Sequence, residues 1–166
     1  MESSKTKKTE FKIGPIEGAK ITPLRKYVDE RGWLAETFRI DELDKAYHPV
    51  MGYTSLTLPW VTRGPHEHVE QADLFLFIGP GNFKIWLWDN RKESPTFWNK
   101  QVVFGGQDHP LRVLVPPGVV HAYKNVSDQC SVVQNYPNKL YLGHQKKSPI
   151  DEIRHEEDVT TPFKTD

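Results

Sequence analysis

The interpretation of this chain starts from one stretch, Thr62-Arg63-Gly64-Pro65-His66-Glu67-His68-Val69-Glu70-Gln71-Ala72-Asp73. His66 and His68 are one residue apart, so on an extended strand both rings project from the same face. Asp73 follows five residues after His68, and His121 stands downstream, just past Pro116-Pro117-Gly118. Imidazole and carboxylate groups together bind divalent metals and can leave a coordination position open. The pattern predicts a metal site of His66, His68, Asp73 and His121; alternatively, the histidines are polar residues lining a dry barrel.

Composition limits the classes of protein to which the chain can belong. Its 166 residues fit one domain with a proper core. Lys+Arg and Asp+Glu number 22 each, so net charge favours neither a nucleic acid nor a membrane partner. Cys130 is the only cysteine, which excludes an internal disulfide. The polar start lacks the apolar segment of a signal peptide, and no apolar run is long enough to span a bilayer. We therefore expect a cytoplasmic protein.

The middle of the chain has the pattern of successive β-strands. Phe83, Ile85 and Leu87 alternate with polar or tryptophan positions, as expected of a strand with two different faces. Turn signals recur at roughly ten-residue spacing, which indicates a sandwich or jelly roll in a single domain. The predicted strands are Tyr53–Trp60, Asp73–Ile78, Phe83–Asp89, Thr96–Phe104, Leu111–Val115, Val119–Val126 and Cys130–Tyr136.

The two ends of the chain differ from this middle part. Residues 1–10 are rich in Lys, Ser and Thr and are predicted to be a disordered tail, with the barrel domain over residues 11–145. Residues 146–166 are predicted to be a charged tail that packs on the barrel, with a short helix or a wrapping segment at 149–158. Two turns of helix are predicted over 40–48, ending at Pro49.

Two levels of family resemblance are visible in these motifs. His-x-His-x4-acid, followed by Pro-x-Gly-x2-His-x3-Asn (residues 116–125), resembles the two motifs of the cupin superfamily. From Asp29 to Asp158 the chain more specifically resembles the dTDP-4-dehydrorhamnose 3,5-epimerases. The motifs that carry this resemblance are Asp29-x-Arg31-Gly32-x3-Glu36-x-Phe38, Ser55-x-Thr57, Arg63-Gly64-x-His66, Gln71-Ala72, Asp89-x-Arg91 with Ser94-Pro95-Thr96, and Pro116-x-Gly118-x2-His121.

The resemblance implies a fold, an activity and a set of site residues. The fold would be an all-β cupin jelly roll, or double-stranded β-helix, assembled as a homodimer. The activity would be epimerisation beside the keto group of a deoxysugar nucleotide. By resemblance Arg31 and Glu36 contact the nucleotide, within one chain or across the dimer interface, and Arg63 meets the phosphates. His66 corresponds to the catalytic base, with a carboxylate partner at Glu157 or Asp158. His121 would face the substrate.

Three positions depart from that family. Its enolate-stabilising lysine falls on Asp73, its acid tyrosine on Gln134, and its asparagine ahead of the serine motif on Tyr53. A carboxylate repels an enolate, so a bound divalent cation (Zn, Fe, Mn or Ni) could take over the role of the lysine as a Lewis acid. His66 could not then serve as both ligand and free base. Tyr141, which we assign as catalytic, and also Tyr136, Tyr123 and Glu67, are the alternative proton-transfer groups.

Three functions remain open from the sequence. The first is an isomerase of the nucleotide-sugar epimerase type, with metal assistance or with no cofactor. The second is a metal-dependent cupin enzyme of other chemistry, such as an oxygenase or a small-molecule isomerase. The third is a sugar-binding cupin without catalysis. We expect a small-molecule nucleotide sugar and a second copy of the chain as partners, and neither nucleic acid nor membrane.

Overall fold

The computed structural model describes residues 10–166. Thirteen strands make up the fold of this part of the chain, and its helical structure is limited to short 3-10 turns. The predicted tail at residues 1–10 therefore lies outside the described residues except for Glu10. The strands are β1 (Lys12–Ile13), β2 (Lys20–Pro23), β3 (Lys26–Asp29), β4 (Gly32–Ala35), β5 (Tyr53–Thr57), β6 (Thr62–Glu67), β7 (Asp73–Phe77), β8 (Asn82–Asp89), β9 (Asn99–Gly106), β10 (Leu111–Val115), β11 (Val119–Asn125), β12 (Ser131–Asn135) and β13 (Ile153–Arg154).

Two facing sheets form the barrel. One has six strands in the order β1-β9-β8-β11-β6-β13, and the other has five in the order β2-β10-β7-β12-β5. Strands β3 and β4 form a separate antiparallel hairpin. Neighbouring strands within each large sheet are mostly far apart in sequence, as in a jelly roll. This confirms the prediction of an all-β, single-domain jelly-roll fold.

Alternating faces of the strands build two separate cores. Phe83, Ile85 and Leu87 of β8 point into the barrel and join Phe75 and the other inward residues. Trp86 and Trp88 lie on the opposite face of β8, where Phe163 of the C-terminal segment covers Trp88. Burial of each such large side chain contributes about 1.5–3 kcal/mol relative to exposure. Phe163 of the C-terminal segment therefore packs on the outer face of β8.

Asp89, at the end of β8, organises the turn before β9. Its buried carboxylate accepts hydrogen bonds from Arg91 Nε (2.8 Å), Ser94 Oγ (2.6 Å) and Thr96 Oγ1 (2.6 Å). Burial alone would raise the pKa of Asp89, but these donors lower it to about 2. The Asp-x-Arg and Ser-Pro-Thr motifs thus form a structural turn, and this turn is why β9 begins at Asn99 instead of the predicted Thr96.

Two segments predicted as helical have a different local structure. Residues 40–48 form two 3-10 turns, Ile40–Glu42 and Lys45–Tyr47, because extended residues on either side interrupt the backbone ladder. Near the C-terminus, Ile153–Arg154 pairs with β6 as strand β13, followed by a 3-10 turn at His155–Glu157. The prediction of a regular helix at 40–48 is wrong, and the wrapping alternative for the C-terminal segment is the one observed. Among residues 10–166, none of the helices has the length and apolar character needed to cross a membrane.

Candidate active site

The site is organised by a bulge in β6. His121 of β11 is opposite His66, while Tyr123 is opposite Arg63, so β6 contains one residue more than β11 over this interval. Gly64 occupies the bulge at φ +80°, and a Cβ at this position would lie 2.6 Å from the carbonyl oxygen of His121. A glycine is therefore required here for both conformation and space. The bulge at Gly64 brings His66 and Arg63 towards the same cavity.

Three imidazole rings converge inside the barrel. One ring nitrogen from each of His66, His68 and His121 lies within 4.8 Å of the others. The ring centroids of His66 and His121 are 4.4 Å apart, and His68 lies 5.9 Å from each. His121 is buried, while His66 and His68 are partly open to the cavity. His66 and His68 are two residues apart, and both rings lie on the same side, in the cluster, as the sequence pattern predicted.

Asp73 joins this cluster through two of the three histidines. Its Oδ2 lies 3.2 Å from His68 Nε2 and 3.3 Å from His121 Nε2. The chain reaches Asp73 by a tight loop over 69–72, and the carboxylate of Asp151 holds this loop by accepting the backbone N–H groups of residues 69, 70 and 71 at 2.8–2.9 Å. His68 and Asp73 are an odd number of residues apart, so a regular strand would point them to opposite faces. The loop anchored by Asp151 brings both to the same cluster.

The second ring nitrogens of His68 and His121 are engaged elsewhere. His68 Nδ1 contacts the carbonyl oxygen of Asp151, and His121 Nδ1 lies 3.1 Å from the carbonyl oxygen of Val119. A carbonyl accepts only, so each Nδ1 carries the hydrogen in the neutral ring and each Nε2 keeps a lone pair. His121 Nε2 is buried and, among the described residues, has no hydrogen-bond partner despite its proximity to Asp73.

The carboxylate of Asp73 is held in a fixed orientation. Its Oδ1 accepts hydrogen bonds from Gln71 Nε2 (2.9 Å) and Asn135 Nδ2 (2.8 Å). Its Oδ2 is left facing His68 and His121. Burial alone would raise the pKa of Asp73, but the ring nitrogens of His121 and His68 lower it below the usual range, so the group is ionised.

The histidines differ in their affinity for protons. Burial lowers the pKa of His66 to about 2, helped by the neighbouring His121 and His68. Burial also opposes protonation of His68, but the hydrogen bond and charge of Asp73 outweigh it and raise that pKa to about 9. His66 is therefore a neutral imidazole with a free lone pair, the form needed to accept a proton.

The carboxylate nearest to His66 comes from the C-terminal segment. Glu156 Oε1 lies 4.0 Å from His66 Nδ1. Glu157, at which the sequence placed this partner, has a side chain 70% exposed and pairs with Arg154. The segment is fixed by His155, whose Nε2 lies 2.8 Å from Glu67 Oε1 on the outer face of β6. The structure thus places Glu156 closer to His66 than Glu157, one of the two positions that the resemblance implied, and it turns Glu67 away from the histidines.

A cavity of about 1160 Å³ opens above the cluster. His66, His68, Arg63, Tyr53, Tyr141 and Glu156 are among the residues that line it. Tyr141 lies on the irregular segment after β12 and is half exposed. Tyr136 packs on Phe38 with ring centroids 5.2 Å apart and is not part of the lining. The cavity is large enough for a nucleotide sugar, and the catalytic role of Tyr141 stays a prediction.

Tyr53, which the sequence treated only as a departure from the family, faces the same cavity. It lies directly opposite Asn135 in the β5–β12 ladder, and Asn135 Nδ2 donates to Tyr53 Oη at 2.9 Å. Gln134 alternates with the inward residues Val133 and Asn135, so it faces away from the barrel interior. The alternation of inward and outward residues along β12 was the signal that could have identified Asn135, instead of Gln134, as the residue that faces the site.

The arginines and Glu36 assigned to ligand binding occupy different places. Arg63 is tied to β5 by Nε donating to Thr57 Oγ1 (3.0 Å) and Nη2 to the carbonyl of Leu56 (2.8 Å). Arg31 lies at the tip of the β3–β4 hairpin with its side chain 82% exposed, paired to Asp29. Glu36 is also exposed, just after β4. Within one chain neither Arg31 nor Glu36 lines the cavity.

Comparison with known proteins agrees with this architecture. The family model described as dTDP-4-dehydrorhamnose 3,5-epimerase matches residues 14–151. The spore coat polysaccharide biosynthesis protein SpsL of Bacillus subtilis is 36% identical over 140 residues, covering 82% of this chain and 91% of that protein. A probable low-salt glycan biosynthesis epimerase of Haloferax volcanii is 32% identical over 127 residues, covering 76% of this chain and 81% of the relative.

Solved structures show the same likeness. The dTDP sugar isomerase of Desulfovibrio desulfuricans superposes with a TM-score of 0.76 at 25% identity, covering 90% of this chain and 92% of that one. A family match over most of the chain, two relatives above 30% identity and this superposition all agree. The chain therefore belongs to the dTDP-4-dehydrorhamnose 3,5-epimerase family and is a sugar epimerase with a cupin jelly-roll fold.

Proposed function

We propose that this epimerase inverts carbon beside the keto group of a nucleoside diphosphate 4-keto-deoxysugar. The observation that carries the proposal is the neutral His66 imidazole in the cavity with Glu156 behind it. A proton on carbon beside a ketone is acidic enough for a positioned base to remove, and epimerisation follows when a proton returns on the other face. Family members among the solved structures bind this class of ligand, for example dTDP-4-keto-L-rhamnose in the Legionella pneumophila enzyme.

In this proposal His66 accepts the proton through Nε2. Its Nδ1 faces Glu156, so a carboxylate stands where the ring gains positive charge. The two atoms are 4.0 Å apart, so the side chains must move closer by a small distance to form a direct hydrogen bond when substrate is bound. Burial keeps His66 unprotonated before reaction but also disfavours the imidazolium that proton transfer forms, so the carboxylate of Glu156 is needed to stabilise that charge.

We also propose that His68, Asp73 and His121 hold a divalent cation, with Zn, Fe, Mn and Ni as candidates. His68 Nε2 and His121 Nε2 each contact Oδ2 of Asp73, an arrangement that a proton or a metal cation makes favourable. The raised pKa of His68, about 9, describes the ring with a proton in this position, and a metal cation would replace that proton. Two ligands about 2.1 Å from one ion are about 3.0–3.4 Å apart in tetrahedral or octahedral geometry. The observed 3.2 and 3.3 Å fit that range.

The surroundings of these ligands match those of metal sites. Each imidazole donates its other N–H to a backbone carbonyl, and the carboxylate is fixed by two amide donors. A bound cation would supply Lewis-acid stabilisation of the substrate oxygen, the role for which the family uses a lysine. With these three residues as the metal ligands, His66 remains free to act as the base, whereas the sequence analysis considered it both as a metal ligand and as the base.

We propose that Arg63 binds the phosphates of the ligand. Its guanidinium is positioned by β5 but exposed at the cavity, so unused N–H donors are available to an anion. We expect Arg63→Ala to weaken binding of dTDP by at least tenfold in calorimetry, since charge-assisted bonds contribute about 1.5–3 kcal/mol each. Arg31→Ala is the comparison: equal weakening would place Arg31 at the phosphates as well, and unchanged affinity in the Arg63 variant would contradict the assignment.

We propose that the chain forms a homodimer through the β3–β4 hairpin. The hairpin exposes four large apolar side chains, Tyr27, Val28, Trp33 and Leu34, at 52–77% of their surface. Such a patch indicates an interface, and a partner chain would bring Arg31 and Glu36 near a cavity. Light scattering at micromolar concentration should give a dimer, and Leu34→Lys should give a monomer. A monomeric wild type would contradict this proposal. A cytoplasmic location and the absence of nucleic-acid or membrane partners stay predictions.

The test of the proposed function is a direct assay. A dTDP-4-keto-6-deoxyhexose in D₂O should gain deuterium beside the ketone and give the epimerised sugar by NMR. Deuterium uptake and product together support the epimerase. Ligand binding without either would favour the sugar-binding cupin, and oxygen consumption that depends on an added oxidisable substrate would favour a metal-dependent cupin of other chemistry.

A further inference from the structure

We infer that Tyr53 is the proton donor that completes epimerisation, delivering a proton to the face of the sugar opposite His66. The inference rests on the proposed function, because epimerisation requires two groups on two faces of one carbon. Tyr53 belongs to β5 of the five-stranded sheet, while His66 belongs to β6 of the six-stranded sheet. Both line the same cavity, so a sugar between the sheets is reached from two sides.

The hydrogen bond to Tyr53 orients its hydroxyl for donation. Asn135 donates one Nδ2 hydrogen to Tyr53 Oη and the other to Asp73 Oδ1. Tyr53 Oη is therefore an acceptor in this contact, and its own hydrogen has no acceptor among the described residues. The O–H is free to point into the cavity that Tyr53 lines, and the residue is 46% exposed.

The other phenols near the cavity are placed differently. Tyr123 is 5% exposed within the core cluster, and its Oη lies 3.3 Å from Ser55 Oγ. Tyr141 lies on the irregular segment after β12, half exposed, where its backbone N–H contacts Met51 Sδ. Asn135 also connects Tyr53 to Asp73. The side-chain amide of Asn135 therefore contacts both the proposed proton donor, Tyr53, and a ligand of the proposed metal site, Asp73.

The proton and electron balance is complete without a further reactant. The C–H bond beside the ketone breaks, its proton moves to His66 Nε2, and its electron pair enters the enolate. A new C–H bond forms from this pair and the Tyr53 proton, which leaves a phenolate. Exchange with water then returns a proton to Tyr53 and removes one from His66.

The test separates loss of the acid from loss of the base. In D₂O, Tyr53→Phe should form epimerised product at least about 100-fold more slowly. The recovered substrate should still gain deuterium within a few-fold of the wild-type rate, because His66 removes the proton and returns a deuteron to the same face. The matched control Tyr47→Phe, outside the cavity lining, should retain both rates.

Two outcomes overturn the assignment. One is wild-type product formation by Tyr53→Phe with an unchanged melting temperature. The other is that Tyr141→Phe or Tyr123→Phe, instead of Tyr53→Phe, loses product formation while the substrate still takes up deuterium. A wild type that shows neither exchange nor product above an enzyme-free control overturns the proposed function, and the Tyr53 assignment with it.

Discussion

His66→Asn is expected to reduce both deuterium uptake and product formation by about 100- to 10,000-fold, the range typical of a lost general base. Asparagine keeps a polar side chain in the cavity but cannot accept a proton from carbon near neutral pH. Both rates should fall together, since without the base neither exchange nor inversion can begin. This joint loss distinguishes His66 from Tyr53, whose removal should leave exchange in place. The measurement is NMR of substrate and product in D₂O.

The carboxylate behind His66 supplies a matched pair of controls. Glu156→Gln should slow both rates by about tenfold or more, because the developing imidazolium loses an opposite charge. Glu157→Gln makes the same change one residue away, on a largely exposed side chain, and should leave both rates near wild type. If Glu157→Gln were the impaired variant, the position of the C-terminal turn relative to His66 would differ in solution. Full activity of His66→Asn would contradict the assignment of the base.

The second large effect concerns metal content. Protein purified without chelators or added metal should contain about one divalent ion per chain, and His68→Ala should contain almost none. Removing one of three ligands costs a large part of the affinity, since even outer partners of ligands contribute 10- to 100-fold (about 1.4–3 kcal/mol). Elemental analysis of both proteins measures this directly. Metal removal should also stop deuterium uptake, and adding the identified ion back should restore it.

Three further variants make the metal assignment specific. Asp73→Asn should lower metal content because an amide oxygen carries no charge, and Asp151→Ala should lower affinity by releasing the loop that presents Asp73. His66→Asn should keep its metal if His66 is only the base. Metal lost from that variant would make His66 a fourth ligand, as the sequence pattern had it. Wild type without metal but with full exchange would contradict the metal site and leave His66 and Tyr53 as sufficient.

Local patterns in the sequence determined much of this protein. Strand alternation and turn spacing predicted a sandwich or jelly roll, because a half-buried strand repeats every two residues wherever it lies, and the family resemblance favoured the jelly roll. The His66-x-His68 parity correctly placed two rings on one face. A Gly-Pro pair inside a strand favours a bulge, and β6 has one at Gly64. Each of these inferences needs only neighbouring residues, so no knowledge of the tertiary structure was required.

Contacts between distant segments decided the rest. Whether Glu156 or Glu157 meets His66 depends on how β13 pairs with β6, a register that the charged tail does not encode locally. Asp151 anchors the loop before Asp73 from 80 residues away. The Tyr53–Asn135 pair exists only because β5 and β12 align in one register, 82 residues apart in sequence. A one-residue slip of either strand would reverse the face of every side chain on it, so these partners were settled by packing in three dimensions.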